Sequence, residues 1–162
     1  MEVSSGNSGS VPDIETAILA ACVAALSTVA AGLTPEPASR SWRDQTAHAV
    51  YPALLAHVAP SVPDPENTAL DAVLWTGMVN FAATSHVETT PPATGTTPVA
   101  ADPDGAWCRE AIAAVRAAIL AGFPAVSGMT LLNAFIDSAD DAGDGPVNMQ
   151  TFRVTLKMQI GG

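Results

Sequence analysis

Apolar and polar residues alternate strictly near the end of the chain, between Val147 and Ile160. The apolar positions are Phe152, Val154, Leu156, Met158 and Ile160, and the polar positions between them are Thr151, Arg153, Thr155, Lys157 and Gln159. Successive side chains of a strand point to opposite faces of its sheet, so this alternation predicts a half-buried strand. One face of that strand must be covered by other elements, and the other face is available to solvent or to a partner.

Two alanine-rich segments have the helical spacing needed to supply this cover. The first runs from Asp13 to Ala31 and is ended by Gly32 and Pro35. The second covers residues 106–121 and follows Asp102, which is its predicted N-cap residue. The apolar positions of the second segment, four and three residues apart, are Cys108, Ile112, Val115 and Ile119. Both segments are predicted to be amphipathic helices that pack on the sheet.

Three further stretches are predicted to be strands: Tyr51 to Val58, Leu70 to Val87, and Met129 to Ile136. Eighteen residues are long for one flat strand, so the middle stretch is expected to bend or bulge at Gly77. The three prolines between Pro60 and Asn67 are expected to end the strand before them. The segment from Ala38 to Ala49 fits an irregular crossover or a short helix equally well.

The predicted element order is α-β-β-α-β-β, which indicates the α+β class. We expect a single mostly antiparallel (mixed) sheet of four to five strands, with both helices packed on one face. Residues 11–162 are predicted to form one domain, preceded by a disordered arm of small polar residues at positions 1–10. A Thr/Pro-rich tract at residues 88–103 is expected to be a flexible loop.

The net charge of the chain indicates which classes of molecule it is expected to bind. The chain has 16 acidic and 6 basic residues, a net charge of −10, and Lys157 is its single lysine. A protein with this charge repels phosphate backbones, so direct binding to nucleic acid is not expected.

An uncharged run from Ala17 to Pro35 is long enough to cross a bilayer. Its preceding flank is acidic and contains no Lys or Arg, which opposes both a signal peptide and the usual distribution of positive charge around a membrane span. Much of the run is alanine, which is only weakly apolar. We therefore expect a core helix and no membrane association.

Candidate metal and thiol sites are weak. Cys22 and Cys108 both fall on apolar helical stripes, where two buried reduced thiols are favoured over one inter-helix disulfide. The segment from Asp137 to Pro146 is predicted to be an acidic turn. Its aspartates lack the spacing and the closing glutamate of a calcium loop, so a solvated turn is favoured over a cation site.

Catalytic chemistry has no recognisable motif. His48, His57 and His86 fall on separate predicted elements, and no serine or cysteine lies in a nucleophile elbow. The glycines near the acidic turn follow negative charge and do not resemble a phosphate-binding loop. The sequence therefore indicates no catalytic residue, no cofactor and no metal site, and it favours a protein that is not an enzyme.

The polar face of the last strand is the most informative candidate site. Arg153 and Lys157 are two of only six basic residues, and they share this face with Thr155. One interpretation is an ordinary solvated sheet face. The other is that Arg153, Thr155 and Lys157 contact another subunit or an acidic surface, which makes them the interface candidates.

The order of these elements resembles the tail terminator, or tail completion, proteins of long-tailed phages and related archaeal viruses. The features that carry the resemblance are an opening amphipathic helix (Asp13 to Ala31), a basic stretch (Arg40, Arg43) before a Tyr-Pro pair (Tyr51-Pro52), an extended segment, a second helix after a variable loop, and a closing pair of strands whose last member is basic and alternating (VNMQTFRVTLKMQI). The resemblance covers roughly residues 10 to 160 and rests on element order rather than on a sharp motif. The apolar first helix and the acidic charge are departures that the family does not require.

This resemblance implies a structural virion protein located in the tail or neck and assembled in the host cytoplasm. Such proteins form rings, typically of six subunits, which cap the tail tube and join the tail to the head; the implied partners are the tail tube protein and the connector or neck proteins. The alternative is a small soluble α+β domain that binds a ligand or catalyses a reaction. That alternative predicts a concave polar pocket and a monomer or dimer.

Overall fold

The described residues form three helices and five strands that pack in layers. The structure is a computed structural model that describes residues 11–63, 73–91, 98–141, 143 and 145–160. In chain order the elements are α1 (Val11–Ala30), β1 (Ala38–Ser41), α2 (Trp42–Ala47), β2 (Ala53–Pro63), β3 (Val73–His86), α3 (Ala106–Ala121), β4 (Met129–Asp141) and β5 (Val147–Ile160).

The five strands form one mixed sheet in the order β1-β2-β3-β5-β4. The short β1 is parallel to β2, and the other three pairings are antiparallel. β5 therefore lies between β3 and β4 and pairs with β3 over its full length, from Val147 opposite His86 to Ile160 opposite Val73. These features confirm the predicted α+β class, with one mostly antiparallel sheet.

The main core lies between the sheet and the two long helices, both of which pack on the same face. Alternate strand residues point into this core, and they are Leu54, Ala56, Val79, Phe81, Ala83, Phe152, Val154, Leu156 and Met158. They meet Ile14, Ile18, Cys22 and Leu26 of α1 and Cys108, Ala111, Val115 and Ile119 of α3. At its centre the rings of Phe81 and Phe152, which are register partners, stack with centroids 5.2 Å apart. The prediction that both long helices pack on one face of the sheet is therefore confirmed.

The segment from Ala38 to Ala49 contains both a strand and a helix, whereas the sequence left a crossover or a short helix as alternatives. β1 adds a fifth strand at the edge of the sheet and pairs with Ala53 to Ala56 of β2. Beyond Ala56, no described strand lies on the outer side of β2. Because an edge without a partner strand tolerates proline, the prolines do not prevent β2 from continuing to Pro63, although they were expected to end it at Val58.

The bend or bulge predicted at Gly77 of β3 is found instead in the neighbouring strand β2. β3 passes through Gly77 in continuous register with β5, where Gly77 pairs with Leu156. The register shift is in β2, between Ala59 and Val62, which places the extra residue on the strand that contains Pro60. A bulge in β2 therefore accommodates the long β3 without breaking it.

The prediction of an acidic turn from Asp137 to Pro146 is wrong for residues 137–141, which belong to a strand. β4 continues to Asp141, and its backbone pairs Asp140 with Thr151 and Asp141 with Gln150. The long antiparallel partner β5 overrides the low strand propensity of aspartate, because each further pair adds ladder hydrogen bonds.

Several predictions fall partly outside the described residues. The N-terminal arm, residues 1–10, and positions 92–97 of the Thr/Pro-rich tract are among them. On either side of those positions, Thr90 and Val99 form an isolated antiparallel bridge, with N–H to O distances of 3.1 and 2.9 Å. The backbone N–H of Asp102 also donates to the His86 carbonyl at 3.0 Å, so both ends of the tract are attached to the sheet.

Candidate interaction surface

The polar positions of β5 lie on the face of the sheet opposite α1 and α3, which we call the open face. Since Phe152, Val154, Leu156 and Met158 point into the helix-covered core, the odd-numbered residues between them point the other way. Arg153, Thr155 and Lys157 are therefore brought together on one face, as the alternation predicted. α2, a helix of six residues, borders this face beside β2.

Neighbouring strands flank each of the three residues. In register, Arg153 lies between Asn80 of β3 and Ser138 of β4, and Thr155 lies between Met78 and Phe135. Thr155 is only 9% exposed, while Arg153 and Lys157 are half-buried. A small residue on an inner strand is shaded by the longer side chains around it, which the sequence pattern alone did not predict.

Lys157 is held in place by a hydrogen bond across the sheet. Its Nζ donates to Oγ1 of Thr76, the register partner on β3, at 3.1 Å. The ammonium is thereby fixed over the open face. A cation fixed in this way loses less conformational freedom on binding an acidic group than one on a mobile loop.

A groove on the open face extends from the middle of the sheet towards α2. Its volume is about 370 Å³, and its lining includes Trp42, His57, Asn80, Ala82, Met149 and Thr151. Beside it lies a small apolar cluster made by Ala53, Leu55 and Ala82, with Ala38 and Met149 packed against it. The open face is therefore basic and polar along β5 and apolar towards β2.

Side-chain hydrogen bonds fix the short helix that borders this groove. Oγ of Ser41 accepts the backbone N–H of Asp44 at 3.1 Å, which caps α2. Gln45 is buried, and its amide donates to the Val50 carbonyl at 2.8 Å and accepts the Val50 N–H at 3.2 Å. These bonds orient Trp42 at the edge of the groove although α2 is too short to be stable alone.

A buried polar cluster ties the start of α3 to the sheet. Asp102 was predicted to be the N-cap, but Gly105 has that position, with a φ of 73°. The Asp102 carboxylate nevertheless accepts the N–H groups of Trp107 and Cys108, at 3.2 and 3.3 Å, and the hydroxyl of Ser85 at 2.6 Å. It thus satisfies two donors of the first helical turn from outside the cap position.

Asn148 of β5 completes this cluster. Its side-chain amide donates to the Asp102 carbonyl at 2.6 Å and to Oγ of Ser85 at 3.3 Å. Because Ser85 donates to a carboxylate that accepts two N–H groups of α3, its hydroxyl is engaged in a structural bond rather than paired with a histidine base.

The three histidines lie on separate parts of the structure. His48 follows α2, His57 is on the open face of β2, and His86 ends β3. His86 packs its ring edge-on against Tyr51, at 5.5 Å between centroids, and its Nδ1 accepts the N–H of Glu88 at 3.1 Å. The adjoining cavity, lined in part by Tyr51, His86 and Trp107, has a volume of about 90 Å³. Small-molecule sites are typically several times larger.

Both cysteines are free and buried in the main core, so the prediction of two reduced thiols is confirmed and the alternative of a disulfide is wrong. Burial raises the pKa of Cys22 to about 12 and that of Cys108 to about 11. The Cys108 thiol also donates to the Ala83 carbonyl at 2.9 Å. Thiols in this state are poor nucleophiles near neutral pH.

The described part of the chain contains neither a cluster of metal ligands nor a membrane-spanning helix. No group of three or more His, Cys, Asp or Glu residues there could hold a metal ion, and the side chains of Asp137, Asp140 and Asp144 lie outside it. In the same part of the chain, no helix combines the length and hydropathy required of a transmembrane segment.

The helix α2 and the exposed apolar residues of β4 were not predicted, although the sequence contains a signal for each. Ser41-Trp42-Arg43-Asp44 has the spacing of a capping box, which signals the start of a helix. In β4, Leu131 and Leu132 are adjacent apolar residues that break the alternation, and the register shifts at this point.

Comparison of the chain with protein-family models and with curated proteins found no match.

Proposed function

We propose that this chain is a structural subunit of a viral tail, which forms a six-membered ring that caps the tail tube and joins the tail to the head or neck. It acts through subunit interfaces rather than through catalysis. Its partners in the virion are further copies of itself, the tail tube protein and the connector or neck proteins. The chain is assembled into the tail in the host cytoplasm.

The observation that carries this proposal is the open face. A chain with a net charge of −10 places two of its six basic residues on one inner strand, aligned by pairing on both sides. Lys157 is fixed by its bond to Thr76, and an apolar groove lies on the same face. A broad, pre-organised face with this composition suits contact with an acidic protein surface.

The internal organisation of the chain also favours a structural role. The buried carboxylate of Asp102 is occupied in holding α3 to the sheet, and both thiols are buried. The Asp102 carboxylate and both thiols are thus engaged in the fold, and the cavity beside His86 is small. The element order that suggested a tail protein agrees with the observed order, apart from the added β1 and α2.

The test measures assembly of the full chain and of one double variant. Light scattering over a range of concentrations, with and without tail tube protein, should detect a ring, and mass spectrometry of purified particles should detect the chain. Arg153→Glu with Lys157→Glu should unfold as cooperatively as the wild type and assemble poorly, because the substituted face repels an acidic partner.

A matched control is available on α3. Arg109→Glu with Arg116→Glu changes the net charge equally, at exposed positions of the helix layer. This control should assemble normally. Normal assembly of the β5 variant would show that the open face is only solvated, and equal impairment of both variants would assign the effect to net charge. A chain that is absent from particles and stays monomeric with the tube protein would refute the proposed function.

A further inference from the structure

Among the described side chains, the exposed large apolar residues on the strands and on α2 lie at the two opposite edges of the sheet. At one edge, Trp42 begins α2 directly after β1 and is 39% exposed. At the other edge, Leu132 and Phe135 of β4 are 53% and 44% exposed. β1 and β4 are the outermost strands of the sheet, so the apolar residues of the two edges are separated by its full width. Such residues at a sheet edge are typical of an interaction site.

β4 is a long edge strand with one partner. It has thirteen residues and pairs with β5, and no described strand pairs with its outer side. Its register shifts between Leu131 and Asn133, and the bulge leaves Leu132 exposed. Phe135 is the register partner of Thr155 and therefore lies on the open face. Apolar side chains and outer backbone groups are thus available along the same edge.

The two edges also differ in charge. β4 contains Asp137, Asp140 and Asp141 and no basic residue. β1 and α2 together contain Arg40, Arg43 and Asp44, and Glu15 of α1 lines the pocket beside Trp42 and Arg43. Two β4 edges would repel each other, whereas a β4 edge would meet two arginines on a β1–α2 edge that has no excess negative charge. The charge pattern therefore favours contact between unlike edges.

We propose that copies of this chain associate head to tail, with the β4 edge of one subunit against the β1–α2 edge of the next. Leu132 and Phe135 of one copy contact Trp42 and the adjoining groove of its neighbour. This inference rests on the proposed ring and names the contact that builds it. A contact between two different patches of the same chain is heterologous, and it forms a closed ring when the rotation between subunits closes.

Strand direction is compatible with this contact. β1 runs parallel to β2, and three successive antiparallel pairings lead from β2 through β3 and β5 to β4, so β4 runs opposite to β1. Two copies in the same orientation therefore bring these edges together as antiparallel neighbours. The chain carries both halves of the contact, and no other protein is required to form it.

Site-directed crosslinking tests the contact directly. The variant Thr46→Cys with Asn133→Cys places one thiol on α2 and one on β4, at exposed positions that leave Trp42, Leu132 and Phe135 intact. The native thiols are buried with raised pKa values, so a short bifunctional maleimide should react with the introduced thiols alone. We expect a ladder of covalent oligomers that extends beyond the dimer, and no ladder from either single variant.

Each other crosslinking result would overturn the inference. Covalent dimers from Asn133→Cys alone would show that two β4 edges meet. A double variant that stops at the dimer would indicate a two-fold contact, and one that gives no product would show that the edges do not meet.

Removal of the apolar side chains provides an independent measurement. Leu132→Ser with Phe135→Ser should weaken self-association at least about tenfold by light scattering, since buried aromatic anchors dominate interface energy. Leu120→Ser is the matched control, because Leu120 is 68% exposed on α3 and belongs to neither edge. It should associate as the wild type does. Rings that persist in Leu132→Ser with Phe135→Ser would refute this contact while leaving the proposed ring intact, whereas the absence of wild-type rings would count against both.

Discussion

The two faces of the sheet use the same strands for different purposes. On the covered face, Phe152, Val154, Leu156 and Met158 are all buried against α1 and α3. On the open face, Arg153 and Lys157 of the same strand are half-buried and polar. Successive strand residues point in opposite directions, so neighbours in sequence belong to different environments. Substitutions one position apart on β5 should therefore separate folding from assembly.

The largest effect is expected at the centre of the covered face. Phe152→Ala removes a ring that stacks on Phe81 and leaves a cavity between sheet and helices, which should lower the unfolding free energy by about 3–5 kcal/mol. The neighbouring substitution Arg153→Ala should change it by less than about 1 kcal/mol. Urea denaturation of both variants measures the difference. Similar losses from the two substitutions would contradict the division of β5 into two faces.

A smaller effect is expected where α3 is attached to the sheet. Asp102→Ala removes the acceptor of two helical N–H groups and of the Ser85 hydroxyl, and it should cost about 1.5–3 kcal/mol. Glu110→Ala removes the same charge from an exposed position of α3 and should cost less than about 0.5 kcal/mol. Thermal or urea unfolding distinguishes them. An equal cost would mean that Asp102 acts through its charge alone and not through its buried bonds.

The smallest effect concerns the thiols in the core. Their pKa values are raised to about 12 and about 11, so the folded chain keeps thiol protons that the unfolded chain loses above its ordinary pKa near 9. Stability from this source is therefore complete below pH 9 and decreases as the pH rises from there towards about 12. The free energy of unfolding, measured at a series of pH values in this range, should decrease more steeply for the wild type than for Cys22→Ala with Cys108→Ala. Parallel curves would contradict the burial of the thiols.

The local pattern predicted those elements whose structure depends on one buried face. The alternation in β5 correctly placed Phe152, Val154, Leu156 and Met158 in the core, because apolar burial dominates their energetics. The α3 stripe correctly placed Cys108, Val115 and Ile119 there, whereas Ile112 is only partly buried. The extent of β4 was misjudged, since its last residues are aspartates that become strand by pairing with β5. Local propensity carries no information about a partner that is distant in sequence and long enough to extend the ladder.

The surface could be predicted only in part. Arg153, Thr155 and Lys157 were correctly placed on one face, yet the burial of Thr155 depends on flanking strands that the alternation does not identify. The positions of Trp42 and Phe135 at opposite edges of the sheet depend on the strand order, because only that order makes β1 and β4 the outermost strands. The cluster of Ser85, Asp102 and Asn148 likewise joins residues from three separate segments.

The sequence by itself determined that a single mixed sheet has one apolar face covered by two helices. The spacing of apolar residues, every second residue in a strand and along one side of a helix, identifies the side chains that are removed from water. Tertiary structure alone decided which strands are neighbours, which form the edges, and what lies on the open face. Strand pairing uses backbone groups that every residue possesses, so the order of the strands is fixed by packing of the whole chain and not by any local run of residues.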